Sequence, residues 1–429
     1  MKIAVIGAGS SYTPELIEGV LKAPLPIEEV WLVDLPEGRE RVETIAGLSV
    51  RMARKAGRNV RFVTTENRPE AIEGAAFVLN QFRVGLLRMR ELDERLPLRH
   101  GVVGQETTGP GGFANAMRTI PVVREIAEEV ERRAPSAWLL NFTNPAGLVT
   151  QALLDLGHHR AVGLCNIPRI TERMVAAGAG VPQEAVRITV FGLNHLTGTR
   201  ISIGGEDVTE QVLRMGAAEA ELRKAAPEAK PPGDFFPSLG FFPNPYLNYF
   251  FFPRATYRHA LEAALSPEGT RAQRVQAIEA ALFARYRQED LDEKPPELQQ
   301  RGGAFYSEVA IDAMVALSGD VPRSLVLNVE NNGAIPELPA HAVVERNALV
   351  DRTGIRPVPC EEPMPHLLDA VVQAVKEYEF LTVQAALEGS RKKAREALLA
   401  HPLVPGAEAA QGLLDDLAAA NAEFWPTLR

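Results

Sequence analysis

At 429 residues the chain exceeds what one hydrophobic core usually supports, so two domains, or one domain with a second lobe, are expected. Its 46% hydrophobic and 24% charged content excludes a disordered protein, because that much apolar surface can pack a core. A formal net charge of −9, with Lys and Arg interleaved among acids, excludes a nucleic-acid partner but leaves room for a small anion held by local arginines and backbone N–H groups.

The opening Met-Lys-Ile-Ala-Val-Ile-Gly-Ala-Gly breaks at glycine too early for a secretory h-region. No apolar stretch approaches the ~20 residues that span a bilayer, so a cytoplasmic protein without membrane contact is expected. Two cysteines, Cys165 and Cys360, suit a reducing compartment.

Ile3 to Ile6 is a β-branched apolar run ending at Gly7, the pattern of a buried parallel strand. A helix over Pro14 to Leu21 and a second strand at Val30 to Val33 complete a βαβ unit. Strands at Val60 to Val63, Phe77 to Leu79 and Trp138 to Leu140, with a helix over Arg118 to Arg133, extend it. The alternation predicts an α/β fold with an N-terminal Rossmann-like doubly wound parallel sheet. Beyond about residue 165 the pattern changes. There follow a strand at Val186 to Phe191, a Pro- and Phe-rich segment at Pro227 to Pro245 read as a loop over the active site, and helices over Leu367 to Leu399 and Ala407 to Phe424. The expected division is 1–165 for a dinucleotide-binding domain and 166–429 for an α+β catalytic and oligomerisation domain.

Gly7-Ala-Gly9-Ser10-Ser11-Tyr12-Thr13 follows the first strand and opens a helix, the context of a dinucleotide fingerprint. Its glycines allow the tight turn and close approach of a pyrophosphate, although Tyr12 stands where a third glycine is usual. Asp34, ending the second strand, is placed to accept bonds from ribose hydroxyls and favours NAD over its 2′-phosphorylated form. Gly104 to Gly112 is a glycine-rich polar loop whose acid, Glu106, is either solvated or tunes a neighbouring acid or base. Asn141 and Asn144 of Asn-Phe-Thr-Asn-Pro follow an apolar strand, where ligands of open α/β sheets bind, and Asn-Pro is also a plain turn former.

Cys165, in Cys165-Asn166-Ile-Pro, and His195, in Gly-Leu-Asn194-His195, each close an apolar run. Singly, a buried structural cysteine and a hydrogen-bonded histidine are the common fates of such residues. Together they can share a divalent cation while leaving positions open for substrate oxygens. Tyr246 lies at the edge of the Pro-rich segment and can serve as a general base if a cation lowers its pKa, whereas Tyr249 reads as core.

These motifs, from IAVIGAGSSYTPEL through VGQETTGPGGFANAMR, NFTNPAGLVTQAL, GLCNIP, FGLNHL, NPYLNYFFFP and RGGAFYS to ENNGAI, resemble the NAD- and metal-dependent glycoside hydrolase family 4 nearly end to end. The CN-aliphatic-P tetrapeptide is most like that of its 6-phospho-β-glucosidases. The resemblance implies a lactate/malate-dehydrogenase-like fold, NAD and a divalent metal such as Mn2+, and a phosphorylated disaccharide or aryl glucoside as substrate. It implies oxidation at sugar C3, removal of the C2 proton, elimination of the aglycone, addition of water and re-reduction. By the same resemblance Cys165 and His195 match metal ligands, Tyr246 the base and Glu106 the residue that raises its basicity. Gly7, Gly9, Ser10, Ser11, Asp34 and Asn141 fall to the cofactor. Arg90, Asn144, Asn166, Arg271 and Arg301 fall to the substrate, with the arginine that meets the phosphate left open. Asn166 stands where α-specific members carry a proposed acid, which leaves protonation of the leaving group unassigned. A homodimer or homotetramer is implied. The competing readings are a metal-free 2-hydroxy-acid dehydrogenase, an NAD-sensing regulator, and a family member with another sugar specificity.

Overall fold

The computed structural model describes residues 1–302 and 305–429; Gly303 and Ala304, inside Arg-Gly-Gly-Ala-Phe-Tyr-Ser, lie outside the described residues. Six strands form a parallel sheet: β1 (Lys2–Ile6), β2 (Glu29–Val33), β3 (Arg61–Thr65), β4 (Phe77–Asn80), β5 (Trp138–Asn141) and β6 (Ala161–Gly163). Their order, β3-β2-β1-β4-β5-β6, is that of a dinucleotide-binding sheet, with its topological switch point between β1 and β4. Alternate residues of β1 serve opposite faces: Ile3 and Val5 enter the larger core, Ala4 and Ile6 the smaller one beneath the other face. Both faces are covered by helices, which is why these strands read as continuous apolar runs rather than alternating ones.

Strands β7 (Val186–Leu193) and β8 (Leu196–Ile203) form an antiparallel hairpin closed by Asn194 and His195, the latter at φ 62°. Glu206–Asp207 (β9) and Phe242–Pro243 (β10) pair with β8. The chain then returns to the main sheet with β11 (Arg323–Glu330), β12 (Val343–Asp351) and β13 (Gly354–Pro357), all antiparallel, bringing it to nine strands. Asn347 on β12 pins the hairpin to this sheet, accepting from the Val190 N–H at 2.8 Å and donating to the Ile188 carbonyl at 2.9 Å.

Four features depart from the sequence reading. The helix expected from Arg118 runs over Gly109–Arg133, with Pro110 in its first turn. Gly111 and Gly112 belong there because a Cβ would stand 2.3 Å from the Gln105 carbonyl oxygen and 2.6 Å from the Thr107 carbonyl carbon. The single helix expected over Leu367 to Leu399 is two, His366–Glu388 and Arg391–Ala400. Gly389, at φ 68°, ends the first, and Ser390 starts the second by accepting from the Lys393 N–H. The Pro227 to Pro245 segment is more than a loop: Phe242 and Pro243 pair with β8, and Phe241 and Phe242 are buried. The three antiparallel strands β11 to β13 were not anticipated.

The C-terminal residues lock the long helix Gly109–Arg133. Arg118, fully buried, makes a two-pronged pair with Asp93 at 2.9 and 2.6 Å and donates to Asn421 Oδ1 at 2.7 Å. Trp425 donates its indole N–H to the Ala114 carbonyl at 3.1 Å and packs edge-on against Phe113. Asp93 is driven up to about 6 by burial, against the pull of Arg118. Arg118→Met strands that carboxyl without its cation, and should lower the unfolding free energy by about 3–5 kcal/mol in urea titrations at pH 7.

Candidate active site

The carboxyl ends of β1, β4 and β5 line the crevice at the switch point. Gly7, at φ 82°, donates to the Val33 carbonyl at 3.0 Å, and a Cβ on it would stand 2.6 Å from the Phe82 Cβ, so only glycine fits. Asp34 accepts from the Gly9 N–H at 2.5 Å and the Leu35 N–H at 2.8 Å, so it braces the glycine turn from behind. The Ser10 hydroxyl accepts from the Tyr12 N–H at 3.3 Å. Ser11 instead donates to Glu279 at 2.9 Å, facing the helix Arg271–Tyr286. Tyr12, in place of the third glycine, packs its ring 5.8 Å from that of Tyr306 and under the Arg301 guanidinium at 5.3 Å. Asn141, at the end of β5, is fully buried and bonds both ways with the Thr143 backbone.

Glu106 is the electrostatic centre. It is buried, ion-pairs with Arg83, and lies 3.2 Å from Arg90, which in turn pairs with Glu94 at 2.8 Å. Burial alone would raise its pKa, but Arg83, Arg90, Arg301 and His195 together hold it down to about 2. The loop is fastened around it: Asn115 donates to the Glu106 carbonyl at 3.3 Å, and a Cβ on Gly104 would collide with the Glu94 carbonyl oxygen. The next residue, Thr107, shares a hydrogen bond of 3.1 Å with His195 Nδ1.

The His195 ring stacks on Tyr246, centroids 4.1 Å apart and planes 6° from parallel. Tyr246 lies within electrostatic reach of the Cys165 thiol, and Asn194, immediately before His195, hydrogen-bonds that thiol. Residues 165, 195, 246 and 106, drawn from four separate segments, therefore meet in one place. Burial lowers His195 to about 4, against the raising effect of Glu106, so the ring is neutral at physiological pH. Burial pushes the Cys165 thiol and the Tyr246 hydroxyl up; Glu345 adds to the first, Tyr249 and Glu106 to the second. A neutral imidazole beside a thiol is a donor pair suited to a borderline divalent cation. Among the described residues no cluster of three or more His, Cys, Asp and Glu side chains could hold a metal.

The other sequence candidates fall around this centre. Arg271 begins the helix Arg271–Tyr286 and donates to the Arg301 carbonyl at 2.9 Å, while the Arg301 side chain is tethered to Glu279 at 3.1 Å. Burial, and the positive charges of Arg90, Arg274 and Arg301, lower the pKa of Arg271, which places these guanidiniums within reach of one another. Asn144 precedes a cis peptide to Pro145 and accepts from the Ala146 N–H at 3.4 Å. Asn166 is buried at the start of the helix Ile167–Ala179.

Sequence reasoning missed Arg83, Glu94, Thr107, Glu279 and Glu345. Arg83 is held against Glu106, and its Nη1 is buried with no hydrogen-bond partner. Glu279 ties Ser11, Arg41 and Arg301 together. Four of them are charged and Thr107 is a hydroxyl; except for Glu94, which pairs with Arg90 one helical turn away, their partners are remote in sequence, so no local spacing marked them.

The description "Family 4 glycosyl hydrolase" matches residues 2–181, and that of its C-terminal domain matches residues 190–404. The chain is 41% identical over 432 residues to a probable 6-phospho-beta-glucosidase of Bacillus subtilis, covering 99% of this chain and 97% of that one. It superimposes on the 6-phospho-beta glucosidase of Thermotoga maritima, solved with manganese, NAD+ and glucose-6-phosphate, with a TM-score of 0.89 at 35% identity over the whole of both chains. Malate dehydrogenase of Plasmodium falciparum matches 90% of this chain and 99% of its own at TM-score 0.52 and 14% identity, a likeness of fold alone.

Because Glu106 is held below its ordinary value of about 4.3, its stabilisation is complete above that pH and is lost as pH falls toward 2. Glu106→Gln, which leaves Arg83 and Arg90 short of a counter-charge, should cost about 3–5 kcal/mol at pH 7. Denaturant titrations at descending pH should show the gap to wild type closing below about pH 4, by up to about 1.4 kcal/mol per pH unit.

Proposed function

The chain belongs to glycosyl hydrolase family 4, and from that premise we propose that it hydrolyses 6-phospho-β-glucosides with the aid of NAD and a divalent cation such as Mn2+, releasing glucose 6-phosphate and the aglycone. The single observation that carries this reading is the convergence of Cys165, His195, Tyr246 and Glu106 beside the dinucleotide crevice. Residues 1–165 hold the dinucleotide and 166–429 complete the catalytic centre.

Gly7, Gly9 and Ser10 line the turn that cradles the pyrophosphate, with Ser11, Asp34 and Asn141 completing the cofactor's surroundings. Cys165 and His195 hold the cation; with Nδ1 engaged by Thr107, Nε2 is the ring nitrogen left for it. When bound, the dinucleotide supplies reversible oxidation at sugar C3, which acidifies the C2 proton, and the cation supplies charge that stabilises the resulting anion.

Burial keeps Tyr246 as the phenol; with a cation bound nearby its pKa would fall and that proton would pass to water, and the phenolate oxygen then takes the C2 proton. Stacking on His195 orients the ring, and the negative charge of Glu106 makes the phenolate a stronger base. Loss of the C1 aglycone, addition of water with a proton returned to C2, and re-reduction at C3 then give the sugar product. Arg90, Arg271 and Arg301, with Asn144 and Asn166, bind the substrate. Arg83, whose Nη1 is unpaired, joins them as a candidate for the phosphate, since a guanidinium gives paired, charge-assisted bonds to its oxygens. A metal-free 2-hydroxy-acid dehydrogenase shares the fold and can use an imidazole as its base, but it gives no role to a buried thiol gathered with that imidazole.

Cys165→Ser should abolish Mn2+-dependent release of p-nitrophenol from its 6-phospho-β-glucoside while leaving the NAD dissociation constant within about threefold, read by fluorescence; equal loss of both would make the cysteine structural. Tyr246→Phe should slow loss of deuterium from C2 by about 10²-fold or more, the scale of general-base catalysis, and an unaltered rate would move the base elsewhere. Turnover of a 2-hydroxy acid that survives chelation, with no phenol released, would overturn the whole reading.

A further inference from the structure

Behind the Cys165 sulfur the fold builds a shelf that the proposed reaction does not itself use. Glu345 lies on β12, 1% exposed, directly opposite Asn328 on β11, which is in turn paired with Gly163 at the end of β6, two residues before Cys165. Asn194 donates to Glu345 Oε1 at 3.0 Å and Asn328 donates to the same oxygen at 3.4 Å. The second oxygen, Oε2, is buried without a well-formed hydrogen bond. The Cys165 thiol lies against both the Glu345 carboxyl and the Asn194 amide. Gly163 makes the arrangement possible: a Cβ there would stand 2.8 Å from the Asn328 Cβ and 2.3 Å from the Thr150 hydroxyl.

A buried carboxyl is costly in a core unless its geometry does something, and two amides spent on one of its oxygens fix its orientation without neutralising it. Asn194 is also the residue next to His195 in the two-residue turn between β7 and β8. One carboxyl thus touches the sulfur directly and reaches the imidazole through the backbone of that turn, connecting two ligands that come from different sheets.

We infer that Glu345 is a positioning residue for the cation site: it braces the Cys165 sulfur and, through Asn194, the His195 turn, so that both donors are set at one separation before a cation arrives. The role rests on the proposal that Cys165 and His195 hold the cation. Partners of this kind, which orient ligands without touching the metal, are worth about 10- to 100-fold in affinity where they have been removed. Glutamine has the shape for the task, since its oxygen can accept from both asparagines and its amide can face the sulfur. Leucine has the bulk and neither capacity.

The test is Mn2+ titration of the full-length protein without substrate, followed by the electron paramagnetic resonance signal of free Mn2+, with the NAD dissociation constant measured in parallel. Glu345→Leu should weaken Mn2+ binding 10- to 100-fold with NAD affinity within threefold of wild type, and Glu345→Gln should restore Mn2+ binding to within about fivefold. Asn328→Ala, which removes one of the two donors and keeps the carboxyl, should give a loss of about three- to tenfold, and stands in if the leucine variant does not fold. Unchanged Mn2+ affinity in the leucine or alanine variant, or a glutamine variant as weak as the leucine one, would overturn the bracing role while leaving the ligands intact. Wild-type protein that binds no Mn2+ would instead overturn the ligand assignment, and the brace with it.

Discussion

A single buried carboxylate sets the geometry of the centre. Glu106 stays ionised in a place where burial opposes ionisation, because Arg83 and Arg90 close on it from the segment that follows β4. With the acid fixed, its neighbour Thr107 can hold the His195 ring, and the ring in turn supports Tyr246. The glycines flanking Glu106 are the steric counterpart of that electrostatic pull, since side chains at Gly104 and Gly111 would meet backbone carbonyls. Charge draws the loop inward and missing side chains let it arrive.

The same burial sorts the protonation states of the neighbours. It leaves His195 as the neutral imidazole, the form that donates a lone pair to a cation, and keeps Cys165 as the thiol and Tyr246 as the phenol. On the proposed reading, a cation held by this sulfur and imidazole would displace a proton on binding, which would tie its affinity to pH. Negative charge from Glu106 raises the tyrosine's pKa while the carboxylate itself stays a weak base, the division of labour that the proposed reaction needs.

Much of this was readable in the sequence, for a definable reason. The parallel strands are buried on both faces, so they stand out as apolar runs, and the residues that end or follow them, Gly7, Asn141 and Cys165 among them, lie where an open sheet presents its chemistry, while His195 closes an apolar run of the antiparallel hairpin. What escaped depends on distant pairing. Glu345 and Asn328 sit on antiparallel strands added to the far edge of the sheet, and neither carries a local signature. Arg83 follows a strand like many solvated arginines, and only the fold turns it onto Glu106. Asp34 was legible as an acid at a strand end, but its grip on the Gly9 N–H was not. Gly109 to Gly112 read as a loop because glycine is a poor helix former; they open a helix whose start lies so close to Gln105 and Thr107 that side chains at 111 and 112 would collide with them.

The stitching of Asn421 and Trp425 onto the helix Gly109–Arg133 has a consequence for how the molecule is made. Arg118 and the Ala114 carbonyl wait some 300 residues of chain for their partners, and during synthesis at about 5–20 residues per second that delay lasts of order tens of seconds. Until Asn421 and Trp425 have left the ribosome, the helix that follows Glu106 stands with an open flank. The loop that carries Glu106 is thus backed by a helix whose outer flank closes only after residues some 300 positions further on have been made.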